Sequence, residues 1–73
     1  MKITIESTTK IVNADGIDCR IWEGETERGV KVQCLIPRIA AWVGEDLAQF
    51  EAELREQRPP SAEVEVWPLR MIL

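Results

Sequence analysis

Residues 11–21, with the sequence IVNADGIDCRI, decide the fold of this chain because they join two alternating segments across a turn. Apolar and polar side chains alternate on both sides of the turn, which is the period of a half-buried strand. Asn13 at the first turn position and Gly16 at the fourth favour a type I turn followed by a left-handed glycine bulge. That turn pairs Ile11 with Cys19 and predicts a β-hairpin with one buried face.

A second hairpin is predicted between the strand that carries Cys19 and a third strand that begins near Val30. A loop of either two or four residues fits the apolar pattern, and it sets Cys19 opposite Cys34 or opposite Ile36. Both registers make the two cysteines neighbours on the buried face, where we expect reduced thiols. That face is expected to hold Ile5, Ile11, Cys19, Ile21, Val32 and Cys34.

The apolar period changes to that of an amphipathic helix over residues 45–57. Glu45 and Asp46 suit the positive end of the helix dipole, and the two prolines at 59 and 60 end the helix. The helix is expected to pack on the sheet face of Cys19 through Leu47, Phe50 and Leu54.

A final strand is predicted from Glu63, and Trp42 and Trp67 on the two sides of the helix are expected to pack in the core. The predicted fold is a single α+β domain over residues 1–73. Its element order is βββαβ, an antiparallel sheet with one amphipathic helix packed on one face.

The charge of the chain is acidic and unevenly spread. Nine basic and thirteen acidic residues give a formal net charge of −4, and residues 43–73 hold seven acids against three arginines. A nucleic-acid surface needs clustered cations, and the sequence has no such cluster. Direct nucleic-acid binding is therefore not expected.

The chain has no histidine, which is the commonest general base and transition-metal ligand. Its two cysteines are too far apart for a CxxC motif. We expect a protein that is not an enzyme and that holds no cofactor and no metal. No apolar run is long enough to span a bilayer and the first residues lack a signal-peptide pattern, so the expected location is the cytoplasm, with no membrane partner.

Two features are candidates for a partner-binding surface. Strand alternation places Trp22 and Leu35 on the sheet face opposite Cys19, where they form an apolar patch unless a loop or the final strand covers them. Glu45, Glu53 and Glu56 form an acidic ridge on the outer side of the helix. This ridge is either a solvated helix face or a docking surface for a basic partner, including mimicry of nucleic-acid charge.

The segments MKITIESTTK (1–10), RPPSAE (58–63) and PLRMIL (68–73) resemble small uncharacterised proteins of tailed phages and prophages of Gram-negative bacteria. The resemblance covers most of the chain, includes no catalytic motif and assigns no functional residue. It implies a phage context, in which small accessory proteins often bind a host protein and inhibit it, some of them against host defence.

The sequence therefore predicts a small phage-derived protein-binding module that acts, as a monomer or as a homodimer, by stoichiometric contact with a host or phage protein. An inhibitor of a host defence protein is the form that this context favours. The alternative is a structural or assembly component of a phage particle that self-associates through its edge strands.

Overall fold

The computed structural model describes residues 1–62, which form an antiparallel sheet followed by a helix. The elements are β1 (Ile3–Ala14), β2 (Ile17–Thr26), β3 (Lys31–Ile36) and α1 (Leu47–Leu54), and the strand order is β1-β2-β3. The antiparallel sheet and the helix after it agree with the α+β class. The predicted final strand from Glu63 lies outside the described residues.

The first hairpin turns one residue later than predicted. Ala14 pairs with Ile17, and the two loop residues Asp15 and Gly16 have φ angles of 52° and 84°. Two successive positive φ angles define a type I′ turn, for which Asp-Gly is a favoured sequence because its twist matches that of the strands. The predicted glycine-bulge turn and the pairing of Ile11 with Cys19 are therefore wrong.

This shift exchanges two neighbouring side chains between the faces of the sheet. Val12, which pairs with Cys19, is buried, whereas Ile11 pairs with Arg20 and is 47% exposed. Since side chains alternate along a strand, one residue of shift moves every side chain beyond it to the other face.

The second hairpin has a three-residue loop, Glu27 to Gly29, rather than two or four residues. The Thr26 N–H donates to the Val30 carbonyl at 2.9 Å, and Gly29 has a φ of 86°. The glycine-bulge geometry predicted for the first hairpin is thus the geometry of the second.

The three-residue loop reverses the predicted match between β2 and β3. Ile21 pairs with Leu35, and Trp22 pairs with Cys34. Leu35 packs against the buried Val12 and Ile21, which form the core of the sheet. The prediction that Leu35 lies beside Trp22 is wrong, and so is the prediction that the two cysteines share a face.

A β-bulge interrupts β1 between Ser7 and Ile11. These two residues pair with Trp22 and Arg20, so that residues 8–10 lie opposite Ile21 alone. The Thr8 side chain is fully buried, and its hydroxyl donates to the Ile21 carbonyl at 2.7 Å. A polar side chain can be buried at this depth because it is hydrogen-bonded.

The helix is shorter than predicted and has no buried residue. Asp46 is its N-cap, and the Asp46 carboxylate accepts the Gln49 N–H at 3.0 Å. Leu47 is 62% exposed, so this part of the predicted contact with the Cys19 face is absent. Within residues 1–62 no helix is long and apolar enough to cross a membrane.

The cysteine arrangement gives a first prediction. Cys19 and Cys34 are free thiols, and strand alternation directs them to opposite faces of the sheet. A disulfide requires Cβ atoms about 3.5 to 4.5 Å apart. Thiol titration of the unfolded, unreduced protein should therefore find two free groups, and a result of none would contradict this register.

Gly24 gives a second prediction. A Cβ at this position would lie 1.8 Å from the Thr4 carbonyl oxygen and 2.7 Å from the Ile5 Cα, both backbone atoms of β1. Gly24→Ala should therefore push the strands apart and lower the free energy of unfolding by about 3 kcal/mol.

The control is Gly44→Ala, where an added Cβ meets no atom within 4 Å and only the positive φ opposes it. Its expected cost is about 1 kcal/mol. Urea denaturation measures both variants, and equal losses would show that β1 and β2 do not approach this closely.

Candidate functional site

Trp22 lies at the centre of the sheet face opposite Ile21 and borders two open concavities. Both concavities also include Ser7, so they adjoin along the line between β1 and β2. The first is lined by Ile11, Arg20, Ile36 and Leu54 among others. Trp22 itself is half-buried. One side of an aromatic ring in this position is supported by the sheet while the rest can contact another molecule.

The second concavity, named here the Trp22 concavity, brings together residues that sequence reasoning had treated as separate features. Glu53 and Glu56 line it with Trp22, and both carboxylates belong to exposed residues. The remaining lining residues are Ile5, Glu6, Ser7, Gln57 and Arg58. The acidic side of the helix and the tryptophan thus share one surface.

The other two predicted site residues lie elsewhere. Leu35 packs on the core face. Glu45 lies before α1 and is separated from Glu53 by the length of the helix, about 12 Å. Neither residue lines the Trp22 concavity.

The segment after α1 is held against β1 at the bulge. The Thr9 N–H donates to the Arg58 carbonyl at 3.0 Å, and the Arg58 N–H donates to the Ser7 carbonyl at 3.2 Å. The Ser7 hydroxyl donates to the Glu56 carbonyl at 2.8 Å. These bonds fix the backbone of Glu56 beside the Trp22 face.

Glu23 holds the same segment from the opposite face of the sheet. Its carboxylate accepts the Ser61 N–H at 2.9 Å, the Ser61 hydroxyl, and the Arg58 Nη1 at 3.0 Å. The segment from Glu56 to Ser61 therefore crosses the edge of β1 from the Trp22 face to the Glu23 face. We name the contacts of Glu23 with Arg58 and Ser61 the Glu23 clasp.

Burial and hydrogen bonding act on Glu23 in opposite directions. Burial of the carboxylate alone would raise its pKa, because it disfavours the charged form. The hydrogen bonds from Ser61 and from Arg58, together with the positive charge of Arg58, outweigh burial and hold the pKa of Glu23 below its usual value. The clasp therefore requires the ionised form.

The segment between β3 and α1 contains Trp42, which sequence reasoning placed in the core. Trp42 is 85% exposed and Val43 is fully exposed, so the expected packing of Trp42 is wrong. The sequence signal for this exposure is the glycine at position 44, because glycine is typical of the third position of a surface turn. The structure shows such a turn there, with a Gly44 φ of 95°.

No protein-family model matches the chain, and neither a curated protein nor a solved structure matches it. Among residues 1–62, no three His, Cys, Asp or Glu side chains are grouped so that they could hold a metal ion. Function is therefore inferred from the surfaces of the chain itself.

The Glu23 clasp gives a third prediction. Glu23→Gln removes the charge that Arg58 and Ser61 contact and should lower the free energy of unfolding at neutral pH by about 1 to 3 kcal/mol. Because the folded-state pKa of Glu23 is lowered, its contribution is complete above the ordinary pKa of about 4.3 and is lost as pH falls through the lowered value.

Denaturation of the wild type and of Glu23→Gln across this acidic range measures the difference. The two proteins should converge in stability at low pH. Glu25→Gln is the control, because Glu25 lies on the same strand and is exposed. A constant difference at all pH values would contradict the role of the Glu23 charge.

Proposed function

We propose that this protein is a non-catalytic protein-binding module that acts by stoichiometric contact through the Trp22 concavity. The observation that carries the proposal is that Trp22, Glu53 and Glu56 border one open surface. Tryptophan is enriched among the residues that dominate binding energy, and it is most effective where neighbouring groups exclude water from it.

The charges around the concavity favour a basic partner. Glu53 and Glu56 line it as exposed residues, and its cation, Arg58, lies 3.0 Å from Glu23 and 3.6 Å from Glu6. A lysine or arginine of the partner can lie over the indole and near the helix carboxylates, which combines a cation–π contact with an ion pair. The proposed partner surface is a basic side chain beside an apolar one.

The biological setting follows from the resemblance to small phage and prophage proteins. In that setting the partner is a protein of the bacterial host or of the phage, met in the cytoplasm. Inhibition of a host defence protein is the favoured action, because a small protein without catalytic residues acts by occupying the surface of its target. The excess of acidic residues supports a basic protein partner rather than nucleic acid.

The helix belongs to this proposal as one wall of the site. Leu54 lines the first concavity with Trp22, and Phe50 is half-buried. We place the apolar side of α1 against the Trp22 face of the sheet, and its acidic side at the rim that the partner meets.

The experiment compares baits made from the wild type and from Trp22→Ala in a bacterial lysate, followed by titration of the captured protein against each variant. Trp22→Ala should weaken binding by about 2 kcal/mol, roughly thirtyfold in Kd, with the folded state retained. The double variant Glu53→Gln, Glu56→Gln should also weaken binding relative to the wild type, and this loss of affinity should be larger at low salt than at high salt. Glu51→Gln is its control, because Glu51 is exposed on the same helix and does not line the concavity.

Light scattering of the free protein during size-exclusion chromatography tests the alternative. A monomer or closed dimer that forms a complex of fixed ratio supports the binding module. Open-ended growth with concentration supports a self-associating phage component instead. Equal affinity of the wild type and Trp22→Ala for the captured protein would remove the Trp22 concavity as the site.

A further inference from the structure

The first of the two concavities beside Trp22, named here the Arg20 concavity, has a different charge from the Trp22 concavity. The charged residues that line it are Asp18, Arg20 and Arg38. Within residues 1–62 neither of these arginines forms a salt bridge, since the salt bridges described there involve Arg58. Two arginines against one aspartate leave this wall with a net charge of +1, which attracts a monovalent anion.

The Arg20 guanidinium is fixed by the fold itself. Arg20 lies on the central strand β2 and is half-buried, and its Nη1 donates to the Thr8 carbonyl at the β1 bulge at 2.8 Å. A guanidinium has more N–H donors than this one bond uses, and its planar fork matches the two oxygens of a carboxylate. Arg20 is therefore a preorganised donor for a carboxylate in this concavity.

Apolar side chains flank this cation on the same face of the sheet. Ile11 of β1 and Ile36 of β3 are the register partners of Arg20. Ile11 is 47% exposed, and Ile39 in the same concavity is 48% exposed. The cavity volume of about 200 Å³ is below that of a drug-sized site. The occupant that fits is a carboxylate on a small apolar body.

Asp18 restricts the charge of the occupant. Its carboxylate accepts the Asn13 side-chain amide N–H at 3.1 Å and lines the same wall as the two arginines. A phosphate monoester carries more than one negative charge at neutral pH, and its additional charge would meet Asp18 without a further cation. A carboxylate carries a single charge and matches the wall.

We infer that the Arg20 concavity binds a small organic acid. The carboxylate contacts Arg20 and Arg38, and the aromatic or aliphatic body lies on the apolar side chains beside them. This site is separate from the one proposed for a protein partner, because neither arginine lines the Trp22 concavity and the charged residues there are mostly acidic. Trp22 borders both concavities, so its substitution does not separate the two sites.

Benzoate is the probe that tests this site, and benzamide, which has the same shape without the charge, is its control. Benzoate added to the isotope-labelled full chain should shift the backbone amide signals of Arg38 and Ile39 and the Trp22 indole signal, with a Kd on the order of 1 mM. Benzamide should shift none of them. Acetate, which lacks the apolar body, and phenyl phosphate, which carries the additional charge, should each bind at least about fivefold more weakly than benzoate.

Arginine variants connect binding to this wall. Arg38→Gln should raise the benzoate Kd about fivefold, and because Arg38 is exposed the fold should be retained. Arg28→Gln is the matched control, because Arg28 is exposed and does not line the concavity. Arg20→Lys keeps the charge but loses the planar fork, and it should also raise the Kd.

The inference is overturned if benzoate on the order of 20 mM leaves these signals unchanged, or if benzamide shifts them equally. Equal losses of affinity in Arg38→Gln and Arg28→Gln would show binding to the general charge of the chain and would overturn it as well. Tighter binding of phenyl phosphate than of benzoate would contradict the assignment of a single carboxylate.

Discussion

The β-bulge of β1 constrains the rest of the described structure, because it turns backbone groups of this strand away from β2. Residues 8–10 occupy the place where β2 offers Ile21 alone, so a regular ladder cannot form there. Two side-chain hydrogen bonds replace the missing ladder bonds at the bulge. The buried Thr8 hydroxyl donates to the Ile21 carbonyl, and the Arg20 guanidinium donates to the Thr8 carbonyl at 2.8 Å. The Ser7 carbonyl and Thr9 N–H are left for the backbone of Arg58. A local irregularity of one strand thus becomes the attachment point of a segment about fifty residues later in the chain.

This attachment connects the fold to the proposed binding surface. The chain leaves α1, passes Trp22 and crosses the edge of β1 at the bulge. On the opposite face of the sheet, Arg58 and Ser61 of this segment donate hydrogen bonds to the Glu23 carboxylate. Because the segment is fixed at these points, the acids at the end of α1 are held near the indole. The contacts involve few buried apolar side chains, so polar interactions have an unusually large share in positioning this site.

The apolar pattern of the sequence predicts the strands and the helix, but it does not predict the register of the hairpins. Alternation identified the three strands, and the spacing of Leu47, Phe50 and Leu54 identified the helix, because both periods are local properties of the chain. Register depended on one residue in each loop. The first loop has two residues instead of the predicted glycine-bulge turn, and the second has three instead of two or four, which places Val12 and Leu35 on the core face.

The remaining differences arise from interactions between distant residues. Nothing in the alternation of β2 distinguishes Glu23 from Glu25, yet Glu23 is buried because Ser61 and Arg58 reach it. The proximity of Trp22 to Glu53 and Glu56 depends on the same contacts, so the sequence pointed to these three residues separately but not to the concavity that they share with Ile5, Ser7 and Gln57. Exposure of Trp42 was missed because a large aromatic side chain in a small domain is usually needed for the core.

The most direct measurement of this account is amide hydrogen exchange at Arg58 in the folded protein. The Arg58 N–H donates to the Ser7 carbonyl, so its exchange should be slowed to a degree comparable with that of Thr9, the other donor at the bulge. Both amides should lose part of their protection together in Glu23→Gln, because the Glu23 clasp and the two backbone hydrogen bonds hold the same segment. Exchange of the Arg58 amide at the rate of an unprotected loop would contradict the attachment and, with it, the position of the acids beside Trp22.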